Sequence, residues 1–194
     1  AVRLGSIHWL GNPGDIMAGA AGAAGTESVP RADQPESNAG WIDYDADLHV
    51  WTNLGVHEVW RRYVDAWCSA CKSSLDFDVM AHPDLPMRFA NEGLAPDFDL
   101  APLWDQMAAC AHDTHRRIEV STAGMRKSVN DYYPTRGLLE RFAHAGVPIT
   151  FGSDAHRASD ICWGIRDAHE YAYDCGYRSF DIPRDAGTWE AVSL

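Results

Sequence analysis

The chain has 194 residues, of which 46% are hydrophobic and 23% are charged, a composition typical of one globular domain. Its formal net charge is −12 and its pI is near 5.0, which argues against a broad basic surface for nucleic acid. No apolar stretch approaches the ~20 residues of a membrane span, and no signal peptide is recognisable at the start. We therefore expect neither a nucleic-acid partner nor a membrane partner.

Five short apolar runs have the composition of β-strands. In chain order they are Val2–Trp9, Phe77–Ala81, Ile118–Ser121, Val147–Phe151 and Arg178–Ile182. Apolar residues at helical spacing predict helices at Val56–Lys72, Pro102–His112, Thr135–Ala145 and Ala158–Cys175. This alternation of strands and helices predicts an α/β fold built on a parallel sheet, either open or closed into a barrel.

One segment, Gly11–Trp41, differs from the rest in composition. Gly, Ala, Pro, Asn and Asp dominate it, and residues 18–25 contain nothing but Ala and Gly. Such a composition predicts a long surface loop rather than a packed element. We interpret it as a loop insertion at about 11–41 within a single domain spanning 1–194, and as a candidate lid over a site.

The cysteines favour reduced thiols. There are five, an odd number, and Cys68 and Cys71 form a CxxC pair. That pair lies in the predicted helix Val56–Lys72, without a second CxxC or a preceding strand and turn, so buried helix cysteines are favoured over a redox or zinc pair. Reduced thiols predict a cytoplasmic protein.

Polar side chains follow several of the predicted strands. His8 lies near the end of the first, His82 directly follows the second, Glu119 lies in the third, and Asp154 and His156 follow the fourth. Residues i and i+2 of a strand point to the same side, so Asp154 and His156 can aim at one point as metal ligands or as an acid/base pair. Parallel α/β barrels carry their active sites at this carboxyl end.

Imidazole and carboxylate ligands suit Zn, Mn or Fe, and clustered sites of this type activate water for phosphoester hydrolysis. Each histidine alone would be interpreted as a hydrogen-bonded core residue, but the set in register favours a metal site. The other pair with chelating spacing, His112 and His115, has helical surroundings and does not follow a strand end, so it is interpreted as a solvated face.

Two arginines are candidates for binding a phosphate group. Arg88 follows His82 by six residues, and Arg126 lies in a loop of small residues after the strand that contains Glu119. A guanidinium group binds phosphate oxygens in a bidentate manner. The alternative for each is an ordinary surface arginine, and Arg126 is the stronger candidate.

The motifs together resemble those of the PHP superfamily, and within it most closely the histidinol-phosphate phosphatases. The resemblance rests on GSIHWLG (5–11), WIDYDADLHVW (41–51), DVMAHPDLPMRF (78–89), IEVSTAGMRK (118–127) and ITFGSDAH (149–156). It implies a distorted seven-stranded β/α barrel with up to three divalent ions that hydrolyses L-histidinol phosphate to L-histidinol and phosphate.

By position, the resemblance implies metal-ligand roles for His8, His82, Asp154 and His156, with Asp154 and His156 at the catalytic centre. It implies that Arg88 and Arg126 bind the substrate phosphate. Glu119 falls where the family has an acidic residue and receives only a weak substrate-side or structural role.

The chain departs from the family at its beginning, because the HxH motif of the family's first strand has no counterpart here. We therefore expect the C-terminal portion of the barrel, lacking its N-terminal strands, or a short homologue with a reduced metal site. The expected partners are a small phosphorylated metabolite and either a second copy or the missing N-terminal segment. The alternatives are a metal-poor, non-catalytic binding module or subunit, and a PHP phosphoesterase with another substrate, such as a nuclease or polymerase-associated domain.

Overall fold

The computed structural model of the chain describes residues 2–11 and 38–194. Most of the predicted loop at 11–41 lies outside these residues. The strands are β1 (Leu4–Gly5), β2 (Trp9–Leu10), β3 (Gly40–Trp41), β4 (Val79–Met80), β5 (Arg117–Ser121), β6 (Ile149–Gly152), β7 (Ser179–Pro183) and β8 (Trp189–Ser193). The α-helices are α1 (His49–Leu54), α2 (Val56–Lys72), α3 (Ala101–Asp113), α4 (Arg136–His144) and α5 (Ile165–Asp174). Short 3₁₀ helices occupy Asp45–Asp47, Leu85–Glu92, Ala123–Arg126, Ala158–Asp160 and Asp185–Gly187.

A four-stranded parallel sheet forms the centre of the fold, with the strand order β1-β4-β5-β6. Because consecutive parallel strands need a crossover connection, helices lie between them in the chain. The predicted parallel sheet is confirmed for these four strands. All four carboxyl ends therefore lie along the same edge of the sheet.

The helix α2 provides the largest apolar face of the core. It begins after Gly55, whose φ is +76°, and ends where Ser73 adopts an extended conformation. Its fully buried aromatic residues are Trp60, Tyr63 and Trp67, and each large side chain contributes roughly 1.5–3 kcal/mol on burial. The helix packs against α3, which in turn packs against α4. No helix in the described ranges is long and apolar enough to cross a lipid bilayer.

The two ends of the described chain differ from the predicted pattern. The first predicted strand is divided: Leu4–Gly5 joins the parallel sheet, whereas Trp9–Leu10 pairs antiparallel with Gly40–Trp41. The last predicted strand, β7, does not extend the parallel sheet but forms an antiparallel pair with β8. Local hairpin pairing therefore replaces another crossover at the end of the chain.

The cysteines lie where the sequence predicts. Cys68 and Cys71 are buried on α2 and face Cys110 on α3, whose thiol donates to the Cys68 carbonyl at 3.4 Å. All five cysteines are free. Burial raises the pKa of Cys68 to about 12, so this thiol stays protonated and the interpretation of the pair as buried helix cysteines is confirmed.

Candidate active site at the carboxyl edge of the sheet

Two histidines from neighbouring strands meet at the carboxyl edge. The chain leaves β1 and reaches His8 three residues later, and it leaves β4 and reaches His82 two residues later. The ring centroids of His8 and His82 are 4.8 Å apart in an edge-to-face arrangement. The pairing of β1 with β4 thus brings together two residues that are 74 positions apart in the sequence.

The tautomer of His8 is determined by Asp43. The Nδ1 atom of His8 lies 2.9 Å from Oδ2 of Asp43. An ionised carboxylate only accepts hydrogen bonds, so the ring proton belongs on Nδ1 and the lone pair on Nε2 is free. Histidines that bind metals are commonly oriented by a carboxylate in this way.

Glu119, on β5, contacts the ends of both neighbouring strands, β4 and β6. Its Oε2 accepts the backbone N–H of His82 at 2.9 Å, and its Oε1 faces Gly152 at the end of β6. Burial raises the pKa of Glu119 to about 7. Burial, with a smaller contribution from His8, lowers the pKa of His82 to about 4.

Asp154 and His156 follow β6 but differ in their surroundings. The charge of Asp154 contributes to the pKa shifts of both His82 and Glu119, so Asp154 lies within electrostatic range of both. The side chain of His156 is 82% exposed, and its Nδ1 lies 3.0 Å from the Asp154 carbonyl oxygen and 3.8 Å from Oδ1 of Asp154. His156 therefore lies at the rim, and among the described residues of the predicted site its polar contacts are with Asp154.

The backbone turns sharply at the strand ends. His82 has a φ of +27°, Asp84 of +59° and Asp154 of +46°. Non-glycine residues rarely adopt the left-handed region, and such residues are concentrated at functional sites. The strand ends are thus strained at two predicted site residues, His82 and Asp154, and at Asp84.

Behind His82 lies a group of buried polar atoms without hydrogen-bond partners. Asp84 is fully buried, and its Oδ2 accepts the N–H and Oγ–H of Thr135 at 2.9 and 2.7 Å. Burial raises the pKa of Asp84 well above its usual range. The buried atoms without a partner include Asp43 Oδ1, Tyr63 Oη, His82 Nδ1, Asp84 Oδ1 and Tyr133 Oη. A buried polar atom without a hydrogen-bond partner costs free energy, so such atoms indicate contact with a bound molecule or ion.

Arg126 extends along the loop that carries Asp154. Its Nη2 donates to the carbonyl oxygens of Ser153 at 2.5 Å and Asp154 at 3.4 Å, and its Nη1 donates to Oγ1 of Thr122 at 3.3 Å. Its Nε lies 3.7 Å from Oδ2 of Asp160. Arg126 therefore already holds the loop in place, and the remaining N–H group of Nη1 is the donor free for a ligand.

Arg88 is also engaged by protein groups. Its Nη1 donates to Oγ of Ser128 at 2.6 Å and to Oε1 of Glu92 at 3.0 Å. Its Nη2 lies 3.7 Å from Oδ1 of Asp45. Within residues 2–11 and 38–194, no hydrogen bond or ion pair joins Arg88 to His8 or His82.

The donor set fits a metal ion in type. Imidazole and carboxylate groups suit zinc, manganese and iron, and His82 Nδ1 and Asp43 Oδ1 are buried without a partner. Within residues 2–11 and 38–194, no group of three or more His, Cys, Asp or Glu residues is arranged to hold an ion. The described residues therefore do not form a complete coordination shell by themselves. The chelating alternative, His112 and His115, is exposed at the end of α3.

Two acidic residues of this edge, Asp43 and Asp84, were not singled out from the sequence. Asp43 follows β3 and is brought to His8 by the pairing of β3 with β2. Asp84 follows His82 by two residues in the stretch HPD. His82 and Asp84 have the same i+2 spacing as Asp154 and His156. That spacing is the sequence signal that indicates Asp84 as a candidate.

The chain is similar in sequence to a probable histidinol-phosphatase of Deinococcus radiodurans. The two are 30% identical over 176 residues, which is 91% of this chain and 55% of that relative. The chain thus spans about half the length of the curated relative it matches. No family model matches the chain.

Two solved structures share the fold. The candidate histidinol phosphatase hisK of Listeria monocytogenes has a TM-score of 0.66 at 18% identity, over 86% of this chain and 57% of that one. The histidinol phosphate phosphatase of Lactococcus lactis, complexed with zinc, L-histidinol and phosphate, has a TM-score of 0.54 at 17% identity, over 68% of this chain and 51% of that one. The resemblance to histidinol phosphatases that the motifs indicate is therefore confirmed.

Proposed function

We propose that the chain carries the catalytic edge of a metal-dependent phosphatase that hydrolyses L-histidinol phosphate to L-histidinol and phosphate. The observation that carries the proposal is that His8, His82 and Asp154 follow the carboxyl ends of three strands of the parallel sheet. Glu119, within the remaining strand, β5, accepts the backbone N–H of His82. The Deinococcus relative supports it by its name, and the Lactococcus structure supports the substrate class and a divalent metal.

In this proposal His8, His82, Asp154 and His156 hold divalent ions, with Zn, Mn and Fe as the candidates and up to three in a complete site. When bound, such ions activate water and neutralise charge on the phosphoryl group. His8 suits this role because Asp43 orients its ring and leaves Nε2 free. His156 suits it because its Nδ1 can donate to the Asp154 carbonyl, which likewise leaves Nε2 free.

The catalytic residues of the proposal are Asp154 and His156, and the phosphate-binding residues are Arg88 and Arg126. The free N–H group of Arg126 can donate to a phosphate oxygen while its other groups keep the 153–154 backbone in place. Glu119 orients the backbone of His82 rather than contacting substrate. The buried carboxyl oxygens of Asp43 and Asp84 and the hydroxyl groups of Tyr63 and Tyr133 add polar groups to this part of the protein.

The test is release of inorganic phosphate from L-histidinol phosphate by the full chain with added Mn²⁺ or Zn²⁺. We expect Asp154→Ala to abolish turnover and to lower the bound metal measured by mass spectrometry. Asp113→Ala, which changes an exposed carboxylate at the end of α3, is the matched control and should leave both unchanged. Absence of phosphate release from any small monoester would contradict the proposal.

A second candidate is a metal-poor binding module or subunit. It is favoured by one observation, that the residues at 2–11 and 38–194 contain no complete group of three metal-binding side chains. This candidate predicts phosphate or histidinol phosphate binding without turnover and without stoichiometric metal. Tight metal in the purified chain would exclude it.

The proposal extends to architecture and setting. We propose that the parallel sheet is part of a seven-stranded β/α barrel, that residues 1–194 belong to one domain, and that a second copy or a further segment of the same domain completes it. We also propose a cytoplasmic protein, which is supported by the five free cysteines. Gel filtration with light scattering and proteolysis of the purified chain test the assembly and the single domain.

A further inference from the structure

An exposed indole lies beside the arginine proposed to bind phosphate. Trp163 is 42% exposed, and the guanidinium carbon of Arg126 lies 5.4 Å from its ring centroid. Ile161, two residues earlier, is 66% exposed. Trp163 thus offers apolar surface to solvent beside a candidate ligand-binding cation. Apolar surface combined with a few polar groups is typical of small-molecule sites.

The backbone that carries this indole is held firmly. Oγ1 of Thr122 donates to the carbonyl oxygen of Trp163 at 2.7 Å, and Oγ of Ser153 accepts the N–H of Cys162 at 3.2 Å. Gly164, with a φ of +69°, then turns the chain into α5 and packs against Thr122. The exposure of the ring therefore belongs to a fixed loop.

The same threonine connects the indole to the arginine. Thr122 accepts from Nη1 of Arg126 at 3.3 Å while it donates to the Trp163 carbonyl. A phosphate group bound at Arg126 would therefore have the indole face as its apolar neighbour. The organic group bonded to the ester oxygen of a phosphomonoester would then contact the indole face.

We propose that Trp163 is a specificity-determining residue that stacks on a planar ring in the organic part of the substrate. The inference rests on the proposed function, because it takes Arg126 as the phosphate ligand. Aromatic rings stack favourably on indole in offset or edge-to-face geometry. Among small phosphomonoesters, those with a ring a few bonds from the phosphate gain this contact, whereas acyclic ones do not.

The experiment compares two ligands by isothermal titration calorimetry on the full chain with Mn²⁺. L-histidinol phosphate carries an imidazole ring, and O-phosphoethanolamine carries an amine and a phosphate without a ring. We expect Trp163→Ala to weaken binding of L-histidinol phosphate roughly tenfold and to change binding of O-phosphoethanolamine less than twofold. Trp163→Phe should restore most of the loss.

Tyr173→Ala is the matched control. Tyr173 is also an exposed aromatic residue with an arginine over its ring, Arg178 at 4.0 Å, but it lies near the end of α5. It should leave the affinities for both ligands unchanged. If this variant lost the same tenfold in affinity for the ring ligand, the effect would be unspecific and the inference would be overturned.

The outcomes separate this inference from the proposed function. Binding of L-histidinol phosphate that depends on Trp163, without phosphate release, would contradict the proposed enzymatic activity. It would still support Trp163 as a specificity-determining residue. Equal weakening of both ligands by Trp163→Ala, no weakening of either, or no binding of either ligand to the unmodified chain would overturn the inference.

Discussion

The backbone N–H of His82 donates to Oε2 of Glu119 at 2.9 Å. The same carboxylate places Oε1 against Gly152, where an added Cβ atom would overlap with that oxygen. Glu119 thus contacts the strand ends on both of its sides, which precede His82 and Asp154. A single buried carboxylate therefore contacts both strand ends that lead to His82 and Asp154.

Gly152→Ala should therefore destabilise the fold. The methyl group would displace a buried carboxylate that is already hydrogen-bonded, and overpacking of this kind costs about 1–3 kcal/mol in the free energy of unfolding. Urea denaturation followed by circular dichroism measures the loss. The double variant Gly152→Ala/Glu119→Ala should lose less than the sum of the two single variants, and strict additivity would show that the two positions do not meet.

Arg126→Lys should lower kcat/KM for L-histidinol phosphate about ten- to a hundredfold, because an ammonium group cannot hold the Ser153 and Asp154 carbonyl oxygens and also donate to the phosphate. The loss of one charge-assisted bond corresponds to roughly 1.5–3 kcal/mol. The bonds from Arg126 to Ser153 and Asp154 add a modest loss of stability. Bound metal should stay unchanged. Full activity, or loss of metal together with activity, would contradict the proposed phosphate contact.

Thr135→Val should destabilise the fold by about 1–3 kcal/mol, because it keeps the side-chain shape but leaves the buried Asp84 carboxyl with one donor fewer. Thr52→Val is the control, since its exposed hydroxyl donates only to a carbonyl of its own helix region. That control should remain within ~0.5 kcal/mol. Thermal unfolding of both variants gives the comparison, and equal stabilities would contradict the importance of the Asp84 bond.

Glu58 provides a pH-dependent contribution to stability. Hydrogen bonds from Arg61 and Arg62 lower the pKa of this carboxyl to about 2. Since the folded pKa lies below the unfolded one, the contribution is present above about pH 4.5 and is lost as the pH falls toward 2. Partial exposure limits it to below ~1 kcal/mol. The difference in free energy of unfolding between the unmodified chain and Glu58→Gln should therefore shrink between pH 6 and pH 3, and a constant difference would contradict this.

Alkylation should distinguish one cysteine from the other four. Cys162 is exposed, and the others are buried; burial raises the pKa of Cys175 to about 11. Because the thiolate is the reactive form, iodoacetamide should add once to the native chain and five times in denaturant, as measured by intact mass. Cys162→Ser should remove the native adduct. Native labelling of Cys68 or Cys71 would instead favour the redox alternative.

Periodicity predicts the elements whose packing follows from a single face. The helix predicted at Val56–Lys72 is observed with those bounds, because its apolar stripe is buried along its whole length. The helix predicted to begin at Ala158 begins at Ile165 instead. A 3₁₀ turn at Ala158–Asp160 and the left-handed Gly164 interrupt it, and local turn geometry of this kind is not visible in apolar spacing.

The candidate site is predictable to the extent that it depends on strand ends. His8, His82 and Glu119 are brought together, as the parallel sheet requires. The contact of Asp43 with His8 depends on the antiparallel pairing of β2 with β3. These strands have two residues each, which is too short for a periodic pattern in the sequence, so Asp43 could not be predicted. The buried state of Asp84 likewise depends on Thr135, 51 positions away.

The first strand of the parallel sheet has consequences for handling the protein. Among the described residues, β1 is bonded on one side only, to β4, and the exposed side chains of Val2 and Leu4 accompany it. Where no second copy or further segment covers it, a strand edge flanked by apolar groups is a template for pairing with other chains. Concentrated samples should therefore tend toward edge-to-edge aggregation, and a charge introduced by Leu4→Lys should improve solubility without reaching the buried core.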